Sequence, residues 1–127
     1  MLVKDVMNKD VVKISPLMSL KEAIKLMKEK DVKALVVDRS SENDAYGIIT
    51  YTSILKAIYF EEGDIDLLNV YDVAVKPALS VSGELDIKYA AKMMVNFNIK
   101  RLLVIDNNQL QGIVSMTDII EQLAEQI

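Results

Sequence analysis

The chain has 127 residues, about half of them apolar, a net charge of −4, and neither cysteine nor histidine. That length holds one ordinary globular domain, or two small halves that share a core. The acidic balance argues against a grip on nucleic acid, which needs a cationic footprint. The missing residue types remove disulfides, thiolate chemistry, the commonest metal ligand and the commonest general base at neutral pH.

In chain order, the start M-L-V-K-D-V has no apolar signal core, and no stretch approaches the roughly 18 apolar residues of a membrane span. The expectation is a soluble cytoplasmic protein with neither nucleic acid nor membrane as partner. Val11 to Ile14 form a short apolar run, read as a strand. Ser19-Leu20-Lys21-Glu22 has the spacing of a capping box, and Leu20, Ala23, Ile24 and Met27 follow at helical spacing. Lys21, Lys25, Lys28, Lys30 and Lys33 cluster there, but Glu22, Glu29 and Asp31 are interleaved, which reads as a solvated helix face. Leu35, Val36 and Val37 make a buried strand, residues 38–44 a polar loop, and Gly47, Ile48 and Ile49 open another strand. Ile54, Leu55 and Ile58 then fall on one helix face.

The second half repeats this order. V-K-D-V at 3–6 answers V-Y-D-V at 70–73, and the same offset relates Leu20, Ala23 and Met27 to Ile87, Ala90 and Met94. The run V-K-A-L-V-V-D at 32–38 answers I-K-R-L-L-V-I-D at 99–106, and G-I-I-T-Y-T-S-I-L at 47–55 answers G-I-V-S-M-T-D-I-I at 112–120. Leu79 to Val81 match the first apolar run. Strands are expected at 102–105 and 112–115, a turn at 106–109, and a last helix with Ile119, Ile120, Leu123 and Ile127 on one side. The expected division is repeat one at 1–58, an acidic linker at 59–69 and repeat two at 70–127. The fold class is α/β (α+β), each repeat a small sheet with flanking helices, the two packed about a pseudo-twofold axis.

Ser115, Met116, Thr117 and Asp118 interrupt an apolar run where a strand ends and a helix begins. Unpaired backbone N–H groups and the positive end of the helix dipole meet at such a junction, which attracts anions. Thr and Asp are also ordinary helix-start residues, so one copy alone reads more simply as a cap and proves nothing.

The G-h-h-S/T-x-x-D-h pattern behind an L-h-V-h-D strand, found twice in register, resembles the cystathionine β-synthase (CBS) domain, and two in tandem resemble a Bateman module. The resemblance covers essentially the whole chain. It implies a regulatory module, not an enzyme, that binds an adenosine-containing ligand such as AMP, ADP, ATP or S-adenosylmethionine in a cleft between repeats and transmits occupancy to a partner protein. No cofactor is required. By that resemblance Asp118 accepts from the ribose hydroxyls, Ser115 and Thr117 approach phosphate, Val12, Val32 and Ala34 line the adenine slot, and Lys33 meets phosphate. A second, weaker site is implied at Thr50, Thr52, Ser53, Val81, Ile99, Lys100 and Arg101. It is weaker because Ser53 stands where the second repeat has Asp118, and losing charge-assisted hydrogen bonds costs about 1.5–3 kcal/mol each. Family members form dimers through their helices, and Leu55, Ile58, Leu123 and Ile127 are the apolar residues expected to be exposed for a homodimer.

The competing reading is a ligand-free dimerisation or interaction module with the same fold. An enzyme is disfavoured: the four glycines form no phosphate-binding loop, and only carboxylate or lysine chemistry remains. Asp44, Glu61, Glu62, Asp64 and Asp66 match no calcium-loop spacing, so no metal site is expected.

Overall fold

The computed structural model describes all residues from 1 to 127. The elements run α1 (Val3–Val6), β1 (Lys13–Ile14), α2 (Leu20–Lys30), β2 (Ala34–Val37), β3 (Gly47–Thr50) and α3 (Tyr51–Leu55), which continues as a π-helical turn, Lys56–Phe60. They continue as α4 (Val70–Val73), β4 (Ser80–Val81), α5 (Ile87–Asn96), β5 (Arg101–Asp106), β6 (Gln109–Ser115) and α6 (Met116–Glu125). Two compact units result, a continuous one, Val12–Ala78, and a discontinuous one that joins Met1–Val11 to Leu79–Ile127.

Each unit is built on a three-stranded sheet, β1-β2-β3 in the continuous unit and β4-β5-β6 in the discontinuous one. In both, the short first strand runs parallel to the second and the third returns antiparallel. The β5–β6 hairpin turns at Asn107 and Asn108, both at positive φ (52° and 61°), as a two-residue loop with the right twist requires. Its counterpart between β2 and β3 is a longer loop tied by Asp44, which accepts from Ser40 and from Lys76 Nζ at 2.8 Å.

The long helices form for reasons visible in the sequence. Ser19 Oγ accepts from Glu22 N at 3.1 Å to start α2, and Asp86 accepts from Lys88 N at 2.9 Å to start α5. Both stop at a left-handed residue, Asp31 and Asn98, each with φ of 53°. The next residue then donates back into the helix, Val32 N to Met27 O at 3.1 Å and Ile99 N to Met94 O at 3.0 Å. Leu20, Ala23 and Met27 are buried beneath one sheet, Ala90 and Met94 beneath the other.

The units are not the sequence repeats, because the repeats exchange their first helical turns. α1 packs in the discontinuous unit, where Val3 N donates to Leu85 O and Ile87 N to Met1 O. α4 packs in the continuous unit, where Val70 N donates to Met18 O and Leu20 N to Leu68 O. Val3 and Val70 are fully buried, each filling the core of the other repeat. The stretch 59–69, expected as a linker, carries this exchange: Leu68 packs against the core and Asp66 pairs with Lys21.

Two helices depart from expectation. The helix after β3, in which Ile54 is buried and Leu55 exposed, widens into the π-helical turn, where Ala57 is buried and Ile58 half-buried. In α6 Ile119 is buried and Met116 packs partly against the core, while Ile120 and Leu123 are exposed and Ile127 lies beyond the helix end. Of the four apolar residues expected to be exposed, Leu55, Leu123 and Ile127 are, and Ile58 packs partly against the core. No helix is long and apolar enough to cross a membrane.

Candidate functional site

At the β6–α6 junction Ser115 is the N-cap and Asp118 the third helical residue. Ser115 N donates to Asp118 Oδ2 at 2.8 Å, and Asp118 N donates to Ser115 Oγ at 3.2 Å, so the two residues close a reciprocal capping box. One carboxylate oxygen, Oδ2, is thereby committed to the cap, and the cap does not use the other, Oδ1. Asp118 and Ser115 are half-buried, and Thr117 is exposed on the first turn of α6. The helix is ten residues long, so its N-terminal dipole favours an anion at this point, while the N–H groups of Met116 and Asp118 are already engaged.

The β3–α3 junction has the same architecture with different chemistry. Thr50 N donates to Ser53 Oγ at 2.9 Å and Ser53 N to Thr50 Oγ1 at 3.2 Å, which reproduces the capping box. Ser53 also donates its proton to Thr50 O at 3.0 Å. Its single oxygen and single proton are both spent on the cap. The two junctions are equally well capped, and only the one with Asp118 keeps a charged acceptor to spare.

The other expected residues lie on strand starts and helix ends. In the continuous unit Val12 and Val32 are half-buried against the core, Ala34 opens β2 and pairs in register with Thr50, Lys33 just before it is exposed, and Thr52 is exposed on α3. In the discontinuous unit Val81 is buried, Ile99 is half-buried, Lys100 is exposed, and Arg101 pairs in register with Ser115. Met116 N donates to Lys100 O at 2.9 Å, which fixes the start of α6 beside the start of β5. Each unit therefore brings together one signature junction and the strand start of its own repeat. Asp118, Ser115 and Thr117 belong to the discontinuous unit; Val12, Val32, Lys33 and Ala34 belong to the continuous one.

The signature glycine carries a role that the sequence reading missed. A Cβ on Gly112 would sit 2.6 Å from Asn8 O, because the segment after α1 lies against β6 with Asn8 paired to Ile113. Gly47 is approached in the same way by Val75 O, at 3.2 Å. The glycine at the head of each signature makes room for the exchanged segment, and its recurrence in both copies was the available signal.

The CBS domain model matches the chain twice, over residues 3–59 and 70–125. The chain belongs to the CBS domain family. An uncharacterised protein of Methanopyrus kandleri is 28% identical over 120 residues, which is 94% of this chain and 61% of that protein, so the chain spans about three fifths of this relative's length. Among solved structures, a hexameric CBS-CP12 protein from bloom-forming cyanobacteria is 34% identical and superposes with a TM-score of 0.88, covering 94% of this chain and 69% of that one. The CBS domain pair of protein MJ0100, in complex with 5′-methylthioadenosine and S-adenosyl-L-methionine, shares the fold at 23% identity and a TM-score of 0.84, over 100% of this chain and 98% of that one.

Proposed function

We propose that this CBS pair is a regulatory module that binds an adenosine-containing ligand at the β6–α6 junction. Asp118 accepts from the ribose hydroxyls there, Ser115 and Thr117 face the phosphate side, and occupancy is passed to a partner protein. The observation that carries the reading is the second carboxylate oxygen of Asp118, which the cap does not use. The cap needs one acceptor, as Ser53 demonstrates in the other repeat, and a carboxylate offers roughly four acceptor directions, enough for the cap and a vicinal diol together. A CBS pair of the same fold holds two adenosine compounds, which supports the ligand class. AMP, ADP, ATP and S-adenosylmethionine share that adenosine core.

The capping box itself favours the second reading, a ligand-free interaction module, since Ser115 and Asp118 already have a structural task. Titration calorimetry of nucleotide-stripped protein with the four ligands separates the two. Saturable binding near one ligand per chain is the expected outcome. Silence from all four with a folded protein would leave the ligand-free module as the better account.

A further inference from the structure

The two exchanged helical turns meet the loop before a long helix in the same way, yet they present different chemistry to solvent. In the discontinuous unit Leu2 forms an antiparallel bridge with Asp86, and Lys4 Nζ meets Glu84 Oε1 at 2.8 Å. In the continuous unit Ser19 forms the equivalent bridge with Asn69, and Tyr71 N donates to Pro16 O at 3.0 Å. The repeat offset puts Tyr71 at the position of Lys4 and Leu17 at that of Glu84. A solvated ion pair in one unit is therefore an apolar pair in the other, with Leu17 75% and Tyr71 57% exposed. Leu67, 77% exposed, adds to this apolar surface from the same exchanged segment. Because Lys4 and Glu84 close the equivalent corner of the discontinuous unit, folding does not require apolar residues there.

The setting of this corner is acidic. Residues 15–21 and 61–73, which build it, hold one cation, Lys21, and five carboxylates, Glu61, Glu62, Asp64, Asp66 and Asp72. Their balance equals the −4 of the whole chain, so the remaining residues are neutral in sum. Lys21 is already paired with Asp66, and Asp72, next to Tyr71, is exposed and accepts from Asn69 N at 2.9 Å. Exposed apolar side chains in a negative field are complementary to a segment that carries apolar side chains between cations.

We propose that the Leu17–Tyr71 corner docks a basic segment of a partner protein. Apolar side chains of that segment cover Leu17, Leu67 and Tyr71, and its lysines or arginines meet the surrounding carboxylates. This gives a chemistry to the partner in the functional reading and rests on that reading only in that a partner exists. No ligand at Asp118 is needed, so the two can fail separately.

The test uses the full chain without nucleotide and two short fluorescein-labelled peptides, one alternating arginine with leucine and a control alternating arginine with serine, read by fluorescence anisotropy. The wild type is expected to bind the arginine–leucine peptide at least tenfold more tightly than the control, with affinity falling as salt rises. The double variant Leu17→Glu with Tyr71→Lys installs the other unit's ion pair. It is expected to keep its fold by circular dichroism and to lose at least tenfold in affinity. Equal binding of the two peptides would reduce the contact to charge alone and overturn the proposal, as would full binding by the double variant or none by the wild type. Self-association of the wild type that the double variant loses in light scattering would assign the corner to a second copy and overturn it as well.

Discussion

The two strand-to-helix junctions, β3–α3 and β6–α6, are one design executed with two chemistries. Both open on a glycine that admits a foreign backbone segment, both close a capping box, and they part at a single position, Ser53 against Asp118. The comparison teaches that capping and acceptor capacity are separable. A serine satisfies the backbone as well as an aspartate does, so the second oxygen of Asp118 is surplus to folding.

The largest expected effect breaks the comparison at that position. Replacing Asp118 by alanine removes both the cap partner and the acceptor, so ligand affinity falls by two decades or more, at about 1.5–3 kcal/mol for each lost charge-assisted bond. The reverse change, Ser53→Asp, supplies the missing carboxylate to the other junction. It is expected to raise binding stoichiometry or tighten a weak second event in calorimetric titrations.

A smaller effect sharpens the contrast between the glycines. Gly112→Ala forces a methyl group to within 2.6 Å of Asn8 O, and is expected to cost about 1–3 kcal/mol of stability and to speed amide exchange at Asn8. Gly47→Ala, with 3.2 Å to Val75 O, should cost less. Urea unfolding of the two variants orders them, and a milder loss for Gly112→Ala would contradict the packing argument. Smaller again are the caps: Ser115→Ala and Thr50→Ala are each expected to cost about 1 kcal/mol in the same assay.

The smallest effect is seen in acid. The Ser82 hydroxyl and the Gly83 N–H hold Asp106 below the ordinary carboxylate range, with Lys4 adding to the shift. The Lys76 ammonium does the same for Asp44, helped by Ser40. Because the folded pKa is the lower one, the unfolded chain binds more protons as pH falls. The stabilisation is complete above the unfolded carboxylate value and is lost as pH drops through the folded one. Asp106→Asn and Asp44→Asn are each expected to lower stability at neutral pH, to flatten the acid limb of stability against pH, and to converge with the wild type in strong acid.

Much of this was legible in the sequence. The capping serine at position 19, the apolar spacing of Leu20, Ala23 and Met27, and the Asn107-Asn108 turn are local signals, and they placed α2 and the β5–β6 hairpin correctly. The short exchanged helices were found as elements of a repeat, but not where they pack. A repeat read along the chain assigns V-K-D-V to the residues that follow it, and only tertiary burial of Val3 and Val70 reveals the exchange. The π-helical turn after Leu55 was hidden for the same reason, because Ile54, Leu55 and Ile58 satisfy a regular helix on paper. At the site, the difference between Ser53 and Asp118 was readable as letters. That both complete the same cap was not, since it depends on hydrogen-bond geometry.

The most direct test of the account is the substitution Asp118→Ser, which installs the first repeat's own solution in the second. Calorimetric titration with AMP, ADP, ATP and S-adenosylmethionine, run beside thermal unfolding of the same sample, is expected to show lost or severely weakened binding with the melting temperature nearly unchanged. Binding retained at wild-type affinity would contradict the assignment of Asp118 as the ribose acceptor.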